Sequence, residues 1–165
     1  MLGFVVLAVA AAAAQPANTA PAVLGGLEGC WKAPGQVLGK DAASVARGEW
    51  HLGGRYFMLH LRAVSPKQPY EAALLYGAGE KPTAINAFWA DSFGGAFSTP
   101  GTGAVASDGF AVTYAYPDST YINRFTRSGK GWRWTITEQA AGKPDKLFAQ
   151  YNLTPASCRG MKFDF

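Results

Sequence analysis

His51 and His60 are the chain's two histidines. Imidazole is the side chain best suited to move a proton or ligate a metal near neutral pH. Neither histidine sits in an H-E-x-x-H spacing, and no G-x-S-x-G elbow is present to supply an activated serine. His60 falls mid-strand beside Tyr56 and Arg62, where a proton-shuttle or metal-ligand role competes with that of a hydrogen-bonded strand histidine. Gly101-Thr102-Gly103-Ala104-Val105-Ala106 fits G-x-G-x-x-A, a fingerprint that holds a pyrophosphate only between a strand and a helix N-terminus. Here Ser98-Thr99-Pro100 precedes it and the turn Ser107-Asp108-Gly109 follows, so the cradle is missing. Gly35 to Lys40 is one residue short of a P-loop and runs into Asp41. The chain therefore reads as non-enzymatic, with no cofactor and no metal expected. An acid–base set drawn from His60, Arg62 and Asp91 is the enzymatic alternative.

Binding chemistry is better represented. The chain holds 5 Trp, 7 Tyr and 10 Phe, many on one alternating face of their segments. Trp89, Tyr114, Tyr121, Trp132, Trp134 and Tyr151 are placed to line an interior, with Asp91, Asn123 and Arg127 to orient the polar end of a small, mostly apolar ligand. The competing reading is that the rings simply fill a core and the polar residues reach solvent at strand ends.

The elements that must carry these residues read as strands. Period-two alternation with turn punctuation marks Leu27 to Ala33, Ala46 to Leu52, Arg55 to Val64, Tyr70 to Tyr76, Ala84 to Asp91, Phe110 to Tyr116, Tyr121 to Arg127, Trp132 to Thr137 and Leu147 to Leu153. Ala96 to Val105 is a weaker candidate, broken by Pro100 and glycines. Only Asp41 to Ala46 and Glu138 to Ala141 suit a helical turn. About ten short strands at regular spacing predict an all-β fold, an antiparallel up-and-down barrel in preference to a sandwich. Ten strands enclose a wider interior than eight, which leaves room for a cavity.

Cys30 opens the folded region and Cys158 nearly closes it. A bridge between them would lie across the seam where the first and last strands of a barrel meet; two separate thiols are the alternative. Phe4 to Ala14 is an apolar run too short to span a bilayer, and residues 1–14 read as a signal peptide, with 15–26 a flexible leader and 27–165 one domain. That points to a periplasmic or secreted protein with no transmembrane segment in its mature form. A net charge of +4 without a basic cluster argues against a nucleic-acid partner.

Leu27-Glu28-Gly29-Cys30-Trp31, Leu52-Gly53-Gly54-Arg55-Tyr56 and Trp89-Ala90-Asp91-Ser92, in that order across residues 27–154, resemble the DUF1579 family of uncharacterised bacterial proteins. The resemblance implies a calycin-like barrel, related in shape to lipocalins and nitrobindins, and no established activity. Gly29-x-Trp31 also looks like the start of a nitrobindin. That family holds haem through a histidine late in the chain, and no histidine follows His60 here.

Overall fold

A computed structural model describes residues 19–67 and 69–163. The segment read as a signal peptide lies outside the described residues. The twelve strands are β1 (Gly29–Ala33), β2 (Gly35–Val37), β3 (Lys40–Asp41), β4 (Ser44–His51), β5 (Tyr56–Ala63), β6 (Glu71–Ala78), β7 (Ala84–Asp91), β8 (Thr99–Ala106), β9 (Gly109–Ala115), β10 (Thr120–Ser128), β11 (Gly131–Gln139) and β12 (Lys146–Ala156). All pairings are antiparallel, in the order β1-β4-β5-β6-β7-β8-β9-β10-β11-β12, and β12 returns to β1. The expected closed up-and-down barrel of ten strands is what forms.

The closing seam is one bent strand. Cys30 pairs with Ala156 and Gly35 pairs with Tyr151, so the residue numbers of each pair add to 186 on both sides of Pro34. Asn152 N–H donates to the Pro34 carbonyl at 2.9 Å, bridging the two halves. Thus β1 and β2 are halves of one strand kinked at a proline, the first half completing the barrel and the second carrying the short β3 flap. Pro155, opposite Trp31, brings no N–H to this seam. The Cys30–Cys158 disulfide crosses it covalently, with Cα atoms 5.2 Å apart.

Alternation decides which side chains enter. Phe57, Leu59 and Leu61 of β5, Phe110, Val112 and Tyr114 of β9, and Trp132 and Trp134 of β11 are all essentially unexposed. Phe110 and Phe125 stand opposite each other in register, as do Phe125 and Trp134, and Trp134 and Tyr151. Direct opposition brings their rings together at centroid distances of 4.7, 4.9 and 5.2 Å, the first two pairs stacked and the third tilted, in a continuous aromatic column across four strands. These rings all lie on the inward face of their strands, in the interior where the sequence left room for a cavity.

Two further expectations change. The leader does not stay flexible up to residue 26. Ala22–Leu27 forms a 3-10 turn whose Leu24 and Leu27 are fully buried, and Trp132 Nε1 donates to Gly26 O at 2.8 Å while Trp31 Nε1 donates to Leu27 O at 2.8 Å. This plug closes the end of the barrel where Trp50 and Phe57 meet; apolar Val23, Leu24 and Leu27 favour it over solvent. The helical turns expected at 41–46 and 138–141 are instead strand termini and turns, and the second 3-10 turn is Gly95–Phe97. Gly101 and Gly103, from the fingerprint-like run, lie in β8. A Cβ at Gly101 would come within 2.7 Å of the Tyr114 ring, so glycine there makes room for an aromatic, not a phosphate.

Candidate binding site at the barrel mouth

The predicted ligand residues divide between the two ends of the barrel. Trp89 and Asp91 at the end of β7, Tyr121 at the start of β10, and Tyr151 belong to the end opposite the plug. Asn123, Tyr114 and Trp134 lie deeper and are buried. Arg127 and Trp132 lie at the plug end: the Arg127 guanidinium sits 3.9 Å above the Trp132 ring. Six residues of strand separate Arg127 from Tyr121, about 20 Å. Asp91 and Arg127 therefore cannot orient the same end of one small molecule. Arg127 covers the plug; Asn123 serves the core, its Oδ1 accepting from Trp134 Nε1 at 2.8 Å.

Asp91 organises the mouth. Its Oδ2 accepts from Trp89 Nε1 at 3.0 Å and from Tyr70 Oη at 3.3 Å, and its Oδ1 accepts from Phe93 N–H at 2.9 Å. The same carboxylate thus fixes a tryptophan inside the barrel, a tyrosine from the β5–β6 loop and the first turn of the β7–β8 loop. That loop is held at its other end by Tyr116 Oη, which donates to Phe97 O at 2.8 Å. Between these anchors, Phe93 and Phe97 stand 68% and 51% exposed with centroids 6.0 Å apart. Phe93 also meets Tyr70 at 5.4 Å. Across the opening, Tyr116 meets Tyr121 at 5.5 Å and Tyr121 meets Phe148 at 5.2 Å. A β-bulge between β11 and β12 places Phe148 there.

Two recesses stand out among the described residues, and both open at barrel ends. One of about 470 Å³ lies beside the mouth, between Val64, Pro66, Tyr70, Glu71 and Phe93. The other, about 320 Å³, lies at the plug end between Thr19–Ala22 and the β6–β7 turn. Tyr70, Tyr116 and Tyr151 at the mouth are shifted one way. Burial and then the Asp91 charge hold the Tyr70 hydroxyl far above the usual phenol range, and the same two causes raise Tyr116. Burial pushes Tyr151 up to about 12, opposed by its hydrogen bond with Ser44. Tyr76 and Tyr114, facing each other deeper down, are raised by burial as well. These phenols remain protonated donors at neutral pH.

His60 is not part of this site. Leu59 and Leu61 point inward, so His60 points out of the barrel, on the opposite face of the wall from Asp91. It is nevertheless buried, because the C-terminal tail carries Phe163 to 6.1 Å from its ring. Burial lowers its pKa; Glu49 opposes that shift, while His51 and Arg47 add to it. The acid–base set of His60, Arg62 and Asp91 is not assembled.

Tyr70, Phe93, Phe97, Tyr116 and Phe148 were not singled out from the sequence. A usable signal was Ser92-Phe93-Gly94-Gly95-Ala96-Phe97, where two large apolar rings stand in a glycine-rich loop that a solvated turn would fill with polar residues.

No protein-family model and no curated protein matches the chain. Solved structures do. One is the crystal structure of Rv2717c from M. tuberculosis, 15% identical, with a TM-score of 0.62, covering 84% of this chain and 99% of that one. At that identity the match establishes the shared barrel fold. Among the described residues, no helix is long and apolar enough to cross a membrane.

Proposed function

We propose that this protein is an exported, non-enzymatic barrel, a divergent relative of the DUF1579 proteins, that holds a small, mostly apolar ligand at its mouth and not deep inside. The observation that carries the reading is the β7–β8 loop. It is tied down at both ends by Asp91 and Tyr116 yet presents Phe93 and Phe97 to water beside a recess of about 470 Å³. Exposed rings held in place cost solvation without improving the core, and such patches typically mark binding surfaces. Tyr70, Trp89 and Tyr121 extend the apolar surface inward, and the Tyr116 hydroxyl, whose proton is hydrogen-bonded to Phe97 O, offers an acceptor at the rim. The Cys30–Cys158 disulfide supports the export reading, since such bridges persist in oxidising compartments.

The test is titration with 1-anilinonaphthalene-8-sulfonate, followed by its emission. Saturable micromolar binding is expected. The double variant Phe93→Ala/Phe97→Ala should weaken it at least tenfold, since losing even half the burial of two rings removes about 1.5–3 kcal/mol. Absence of saturable uptake, or uptake indifferent to the two substitutions, refutes the reading. A second reading, an envelope module that meets a protein partner through the same rim, draws on the aromatic column from Phe110 to Tyr151, which would direct contacts to the rim.

A further inference from the structure

The outer wall of the barrel carries a separate constellation. Outward-facing residues of β4 are Val45, Arg47, Glu49 and His51, because Ala46, Gly48 and Trp50 turn inward. Outward-facing residues of β5 are Tyr56, Met58, His60 and Arg62. The β4–β5 hairpin pairs Arg47 with His60 and His51 with Tyr56, which brings both histidines to one patch with Glu49 between them. One ligand atom from each of Glu49, His51 and His60 lies within 4.8 Å of the other two. His51 Nε2 stands 3.4 Å from Glu49 Oε1. Two ligands held by a tetrahedral zinc at about 2.0–2.2 Å are separated by about 3.4 Å, so this pair already spans one edge of such a site.

We propose that Glu49, His51 and His60 form a binding site for a divalent transition-metal cation of the zinc class on the outside of the barrel, with water in the fourth position. Two imidazoles and a carboxylate are a donor set that zinc accepts, while calcium and magnesium prefer oxygen alone. The surroundings suit the role. Arg47 holds Glu49 Oε2 at 2.6 Å, which orients the carboxylate and leaves Oε1 directed at His51. Phe163 and the disulfide-anchored tail roof His60, giving one ligand a fixed, dry position. His51 and Glu49 are partly open as side chains, at 38% and 32% exposure, while His51 Nε2 itself is shielded from solvent, so a cation enters by a small shift of these two half-exposed side chains. Nothing in the site overlaps the mouth, so it stands or falls apart from the ligand reading above.

Both histidines of the chain are in the site, which makes histidine-dependent metal binding unambiguous in untagged protein. Zinc chloride is titrated calorimetrically into the metal-stripped, oxidised protein, and cobalt(II) chloride is used to read coordination from visible absorption. One zinc per chain is expected at a Kd of about 1 µM or tighter, with cobalt giving the intense bands of a four-coordinate N/O site. His51→Gln, at a half-exposed position that leaves the fold intact, should weaken zinc at least about tenfold, as should Glu49→Gln; even supporting residues around metals cost about 10–100-fold. His60→Asn is informative where its circular dichroism matches the parent. Binding weaker than about 100 µM, a stoichiometry other than one, or an isotherm that His51→Gln moves by less than tenfold overturns the proposal.

Discussion

Replacing Cys30 and Cys158 with serine tests how the barrel is closed. The bridge joins residues separated by 128 positions, so almost the whole described chain is one covalent loop. The chain-entropy relation assigns a loop of that length about 5 kcal/mol of stability, through the conformations it denies the unfolded chain. The seam itself is short: β1 contributes three register pairs to β12, one of them through Pro155, which has no N–H to donate. Against a typical total of about 5–15 kcal/mol, that loss is a third or more of the stability. At about 2.1 cal/mol/K per residue over roughly 140 residues, 5 kcal/mol corresponds to a melting temperature lowered by about 15 °C. The assay is urea unfolding of the oxidised parent and the double serine variant, followed by tryptophan fluorescence, with a thermal scan alongside. A fall in midpoint with a somewhat steeper slope is expected, because the unbridged unfolded chain exposes more surface. A loss below about 2 kcal/mol would refute the argument, since it would mean that the unfolded chain keeps its ends together without the bridge.

Alkaline pH should destabilise the protein, and the sign follows from the raised tyrosines. Each buried phenol binds its proton more tightly folded than unfolded, so its stabilising contribution is complete below pH 10 and is lost as pH rises through the folded value. Tyr151, pushed up to about 12, costs on the order of 1 kcal/mol by pH 11. Tyr76 and Tyr114 act in the same direction. Tyrosinate absorbance and circular dichroism should therefore change together; full ionisation of these phenols with the fold intact would contradict their burial. In the core, Asn123→Ala strands the Trp134 indole N–H that now donates to Asn123 Oδ1, at an expected cost of about 1–3 kcal/mol in urea unfolding; a neutral substitution would show that the indole is otherwise satisfied.

Much of the fold was legible because a strand states its own geometry. Side chains alternate across a sheet, so Phe57-Leu59-Leu61 and Trp132-Trp134-Ile136 each announce a shared face whatever their neighbours are. Turn residues such as Gly53-Gly54 and Ser128-Gly129-Lys130-Gly131 separate strands that pair as hairpins, and cysteines at both ends mark the seam. Trp89, Tyr114, Asn123, Trp134 and Tyr151 were grouped on shared faces by that rule, and the structure decided that those faces turn inward. The pairing of His60 with Arg47 across the β4–β5 hairpin was not read from the sequence, although counting outward from Gly53-Gly54 gives it.

Other features depend on which element covers which, and no local period records that. Leu24 and Leu27 become a plug only because the barrel offers an open end of matching size. Asp91 and Arg127 look equivalent as strand-end charges, and strand direction sends them to opposite ends. Phe163 buries His60 only because the disulfide turns the tail back over the outer wall. Alternation specifies the two faces of a sheet residue by residue. Closure, end-capping and the overlay of a tail are contacts between segments far apart in the chain, and only tertiary packing decides them.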